Sequence, residues 1–252
     1  YKISAIVCSI FNKINIITRR KNMELSNLKK YISEEELNKP HLQARDLICR
    51  FKLVEIYQNL YLGMKNYQFS KLQGQYGDLE QKGELKEWLP KMFLQNTYLY
   101  YNVCIEFSWK MIYFYYKIKN KNYTEKEIYG IEKNITYDDF LEFLNQQSEN
   151  QTDEEEKDKQ KVISLVNEFY KDEFIEKFRE DCKYIKHRGA FDIFGLYNDE
   201  IQLFAVEGGK CDIDIPKFKE FDRTENEKIL YEFYTKFCDY IEKVIELTVN
   251  SL

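Results

Sequence analysis

The chain is poor in the residues that usually announce chemistry. It has only two histidines, His41 and His187, and its six cysteines form no CxxC pair and no close Cys/His grouping, which argues against a zinc site. Neither GxxxxGK[ST] nor GxGxxG occurs, so phosphate cradling of those types has no support. Excess positive charge is lacking too. With 38 Lys and Arg against 43 Asp and Glu the formal net charge is -5, so bulk attraction cannot wrap nucleic acid around this chain, and any such contact has to be a local patch. No internal repeat and no sustained heptad runs through it. The three prolines, set beside plentiful Lys, Asn, Ile and Tyr, reflect a compositional bias that says nothing about function. Long apolar runs are missing as well: the stretch from Ile3 to Phe11 is broken by Asn12, Lys13 and Asn15, too early to span a bilayer. A weak strand or packed helix is expected there.

What is present describes a globular protein. Over 252 residues, 44% apolar and 16% aromatic content supply a core, and 32% charged residues supply a densely solvated surface. One large domain, or a domain with an appended arm, fits better than two full domains. Four of the six cysteines lie in apolar periodic segments, as reduced buried thiols do, so a cytoplasmic setting without a membrane is expected. Residues 1–22, ahead of Met23, read as an extension. The expected division is then 23–89 as an N-terminal helical region and 90–252 as the main helical bundle.

Periodicity places the elements. After Pro40, Ile48, Phe51, Ile56, Leu60 and Met64 recur at helical spacing, with Gly63 as the weak point. The segment from Gly74 to Gly83 reads as a loop, followed by an aromatic helix from about Pro90 to Ile118 that is apolar over most of its circumference and so expects burial on several sides. Residues 119–137 read as irregular, 138–144 as a short helix, and 145–160 as a polar mobile loop containing the acidic run Asp153 to Glu156. A single long helix is then expected, with Ile163, Val166, Tyr170, Phe174, Phe178, Cys182 and Ile185 as one stripe and Gly189 as its terminator. A small β-hairpin or meander is expected over about 191–216, where Asp212 and Asp214 alternate with Ile213 and Ile215 as solvent-facing strand positions. The box spacing of Thr224 and Glu227 opens the closing helix. The fold class is therefore mainly α, a helical bundle with a small β insertion before the C-terminal helix.

One stretch stands apart. Arg179, Lys183 and His187 are spaced four residues apart, so successive members lie one turn above each other. Taking Phe178 as zero, the apolar stripe stays within about 40° of it, whereas the three polar residues fall at about 100°, 140° and 180°. The ladder faces away from the core, which weighs against a histidine buried for structural reasons. A plainer reading keeps its place: Lys186, His187 and Arg188 occupy a last turn, where positive charge complements the helix dipole. On the aromatic helix, Glu106 sits among Cys104, Phe107 and Trp109, either orienting a ladder residue across the bundle or reaching the helix edge in a structural ion pair. Asn102 precedes it by one turn. His41, next to Pro40, reads as a surface or capping residue.

The ladder, with the ending Lys186-His187-Arg188-Gly189, resembles the signature of the HEPN superfamily, over perhaps residues 90–250. The resemblance implies a helical bundle and a metal-independent endoribonuclease, needing no cofactor, often homodimeric and found in toxin, antiphage-defence or CRISPR-linked settings with an antitoxin or nucleotidyltransferase partner. Other members only bind RNA, nucleotides or partner proteins. Seven residues separate Arg179 from His187, more than the family's usual spacing, and Glu180 stands where Asn is commoner; Lys183, one turn before His187, can take the arginine's place as phosphate contact. The catalytic set implied is His187, Arg179 and Lys183, with Lys186 and Arg188 as RNA contacts and no metal. His187 would act as general acid or base on the ribose 2'-hydroxyl or the leaving 5'-oxygen, and Arg179 or Lys183 would stabilise phosphate charge.

Overall fold

The computed structural model describes residues 28, 31–32, 44–71, 83–118, 124–146, 153–188, 192–194 and 220–248. The described residues form seven helices: α1 (Ala44–Ser70), α2 (Gly83–Lys117), α3 (Glu125–Asn134), α4 (Tyr137–Asn145), α5 (Asp153–Lys171), α6 (Glu173–Arg188) and α7 (Arg223–Thr248). The protein is mainly α, as its periodicity requires. No helix among the described residues is long and apolar enough to cross a membrane.

The expected β-hairpin is not among the described residues. Of the segment 191–216 only Asp192–Phe194 is described, and it pairs in parallel with Glu220–Asp222 beyond the expected meander, Asp192 opposite Glu220. Adjacent strands of a hairpin pair antiparallel, so this contact is a crossover closure at the foot of α7. Asp212 and Asp214, like His41, the expected extension 1–22 and all but Gly83 of the expected loop from Gly74 to Gly83, lie outside the described residues.

Helix boundaries follow the caps. At α7 the cap is Asp222, whose Oδ1 accepts the Glu225 amide at 2.8 Å, so Thr224 lies inside the first turn and the box at Thr224 is not used. The α2 helix begins at Gly83 and carries Pro90 within it, more than a turn earlier than expected. The stretch expected to be irregular contains α3, opened by a full capping box in which Thr124 and Glu127 serve each other's backbone; Thr136 and Asp139 do the same for α4. The polar stretch before residue 160 is helical from Asp153 onward, and Lys159 is buried there, donating to the Gln146 carbonyl at 2.8 Å.

The expected long helix is two helices. Asp172 interrupts it, accepting the amides of Phe174 (2.9 Å) and Ile175 (3.2 Å) and pairing with Lys236 of α7 at 2.6 Å. Cap and ion pair together fix where α6 starts, and so where its polar face points.

The long aromatic helix α2 touches α1, α4, α6 and α7. Its Tyr98 stacks on Phe178 of α6 (5.0 Å, 14°), Phe178 on Phe233 of α7 (4.1 Å, 19°), and Phe233 on Tyr101 of α2 (5.1 Å, 20°). Each such pair adds about 0.5–1.5 kcal/mol beyond area burial, so this closed stack locks α6 against α2 and α7. The Tyr98 hydroxyl, buried in it, donates to Asn226 Oδ1 at 2.7 Å, and Asn226 Nδ2 donates to the Asp222 carbonyl. On α1 the buried face is Cys49, Leu53, Ile56, Leu60 and Met64, while Phe51, expected inside, is 54% exposed.

Candidate functional site

Phe178, Cys182 and Ile185 are buried and anchor one side of α6. The opposite side is therefore turned outward, with Arg179 half-buried and Lys183, Lys186 and His187 exposed. This face and the outer edge of α2 enclose an open cleft of about 510 Å³ whose lining includes all four of these residues together with Glu106 and Asn102. Five candidates chosen from the sequence thus meet in one place. The sixth, Arg188, ends α6, but its side chain and Gly189 lie outside the described residues.

Two walls hold the polar groups. On the α2 side, Glu106 Oε1 accepts from Asn102 Nδ2 at 3.0 Å and from Lys186 Nζ at 3.0 Å. Glu106 thus reaches across the bundle to Lys186. Both side chains of this bridge are 43% exposed, so it orients more than it stabilises, at about 0.2–1 kcal/mol. At the other end, the Arg179 guanidinium lies 4.5 Å from the Tyr170 ring centroid and 5.8 Å from that of Tyr137. Those two rings stack at 4.2 Å and 9°, and Trp109 meets Tyr137 edge-on at 6.0 Å. A guanidinium held this way loses little further freedom when it takes a ligand.

The electrostatics are balanced. Arg179, Lys183 and Lys186 line the cleft, but so do Glu106, Glu176 and Glu180. Burial pushes the Tyr137 phenol up to about 12 against the opposing pull of Arg179, and burial raises Tyr170 well above the ordinary phenol range, so both rings stay neutral. A cleft of this kind can hold a phosphate only through individual cations, not through a general field. His187 makes no hydrogen bond or ion pair among the described residues, which leaves its ring nitrogens open to a ligand.

The sequence reading overlooked the aromatic wall and Glu176, and it weighed Glu180 only as a replacement for Asn. Glu176 and Glu180 fall at about 160° and 200° on the wheel that places the ladder, Glu180 within its span and Glu176 just before it, so the same geometry puts both on the outward side. Tyr137 carries no such signal, since it belongs to a different helix. No group of three or more His, Cys, Asp or Glu side chains able to hold a metal ion occurs among the described residues. No protein-family model, curated protein or solved structure matches the chain.

Proposed function

We propose that this protein is a HEPN-like, metal-independent endoribonuclease that binds RNA across the α2–α6 cleft. The observation that carries the reading is the shared lining of one open cleft by an unencumbered imidazole and three cations, two of them within one turn of His187. His187 exchanges a proton with the ribose 2'-hydroxyl or the 5'-oxygen, and Lys183, with Arg179, bears the charge that builds on the phosphate. Lys186 and Arg188 contact the flanking backbone. The product is a 2',3'-cyclic phosphate.

The test is cleavage of a mixed-sequence RNA oligonucleotide in excess EDTA. His187→Ala is expected to lower the rate by about 10²–10⁴-fold with an unchanged circular dichroism spectrum. Wild-type protein that leaves RNA intact, or a variant that cleaves as well as wild type, overturns the reading. A second reading, a non-catalytic module that binds RNA, nucleotide or a partner protein, is favoured by one observation: the three carboxylates that offset the three cations. Salt-sensitive RNA binding without cleavage would select it.

A further inference from the structure

Cleavage of RNA through its own 2'-hydroxyl needs two proton transfers on opposite sides of phosphorus. One group takes the proton of the attacking 2'-hydroxyl, another gives a proton to the departing 5'-oxygen, and an in-line displacement keeps the two apart. A single imidazole cannot stand on both sides at once. We infer that Glu106 is the proton acceptor that complements His187 within the same chain. This inference rests on the ribonuclease reading and deepens it, since it makes one protomer's cleft chemically complete.

The placement of the carboxylates selects Glu106. Glu176 and Glu180 share α6 with His187, eleven and seven residues away, which sets them about 16 Å and 10 Å along the same wall. Glu106 comes from the facing helix α2, and its bridge to Lys186, the residue before His187, brings the carboxylate to the end of α6 where the imidazole stands. Both hydrogen bonds it receives converge on Oε1, and Oε2 takes none among the described residues. One oxygen is therefore fixed and the other is left for a substrate hydroxyl. The neighbouring phenols are poor substitutes, since burial keeps Tyr137 and Tyr170 protonated through the neutral range.

Atoms and charges balance without a co-reactant. Glu106 accepts the 2'-hydroxyl proton as the 2'-oxygen forms its bond to phosphorus, the bond from phosphorus to the 5'-oxygen breaks, and protonated His187 supplies the proton that leaves with the 5'-hydroxyl. Solvent restores both groups.

The experiment is the pH dependence of kcat/KM for RNA cleavage in EDTA by the full chain. The charged groups that share the cleft with Glu106 are Lys186, Lys183, Arg179, Glu176 and Glu180 together with His187, and only a true base and acid shape both limbs. Wild type should give a bell, because a base must be deprotonated and an acid protonated. Glu106→Gln should lose the acid limb and about 10²-fold or more in rate, His187→Gln should lose the alkaline limb, and Lys186→Met, which breaks the bridge alone, should keep the acid limb. A mixture of Glu106→Gln and His187→Gln chains should stay inactive. Retention of the acid limb by Glu106→Gln, or recovery of activity in the mixture, overturns this inference while leaving the ribonuclease reading in place. Absence of cleavage by wild type overturns both.

Discussion

Gly63 and Gly130 both sit inside helices, where replacement by alanine normally stabilises by up to about 1 kcal/mol. The structure assigns them opposite signs. A Cβ on Gly63 would meet Tyr101 Cε1 at 2.4 Å and Cδ1 at 2.6 Å, about 1 Å short of ordinary carbon contact. The Tyr101 ring cannot swing away, since it is 2% exposed, stacked on Phe233 at 5.1 Å and flanked by Tyr234 at 6.3 Å. Relief has to come from separating α1 and α2, which also strains the Thr97 hydroxyl's bond to the Gly63 carbonyl at 3.2 Å. Overpacking of this kind costs about 1–3 kcal/mol, and a clamped ring places it near the top of that range. Subtracting the helical gain leaves Gly63→Ala less stable by about 2 kcal/mol, a fall of about 4–8 °C in Tm for a chain this long. Gly130 has nothing within 4 Å of the added carbon, so Gly130→Ala should gain about 0.5–1 kcal/mol. Guanidinium denaturation of the two variants beside wild type reads both signs. A Gly63→Ala protein as stable as wild type would refute the close approach of α1 and α2.

Two further outcomes follow from buried and capping groups. Burial pushes the Asp172 carboxyl up, but the Lys236 ammonium and the Ile175 and Phe174 amides outweigh it and hold it below the usual carboxylate range, so its stabilisation is present above the unfolded carboxylate's pKa and fades as pH falls through the folded one. Asp172→Ala should cost about 2 kcal/mol at pH 7 from cap and ion pair together, with a smaller penalty below about pH 4, as measured by denaturation midpoints across pH. Burial pushes the Cys49 thiol up to about 12 and those of Cys104 and Cys182 well above the usual range, and Cys238 is buried beside them. In a Cys8→Ser, Cys211→Ser background the folded protein should resist a thiol-reactive dye that labels it fully in denaturant; prompt labelling of the native state would contradict the packing.

The sequence made the helices legible where one face is apolar and the other polar. It failed where the break is shorter than the period. Tyr170 and Phe174 lie four residues apart across Asp172, so the apolar stripe passes over the interruption, and only the capping geometry of Asp172 reveals it. In α1, apolar residues surround most of the helix, and periodicity alone cannot say that Phe51 is outside and Cys49 inside. The α3 helix is short and none of its described side chains is fully buried, so its few apolar residues were easily passed over, although the box of Thr124 and Glu127 stood in the sequence. At α7, two polar candidates two residues apart, Asp222 and Thr224, compete for one cap, and the pairing of Glu220–Asp222 with Asp192–Phe194 accompanies the choice of the earlier one.

The outward side of α6 was legible for a different reason: it depends only on helical geometry and on which residues the core claims. That geometry also bears on the long spacing between Arg179 and His187. Eight residues of helix separate them by about 12 Å along the axis, while Lys183 stands about 6 Å from each. A phosphate served by His187 is within the span of Lys183's flexible four-carbon stem, whereas Arg179 is a full turn further off and lies against Tyr170 and Tyr137. Under the proposed function the two cations therefore cannot substitute for each other. Lys183 is the point charge nearest a phosphate served by His187, and Arg179, held against Tyr170 and Tyr137, adds its charge to the same phosphate from a full turn further along.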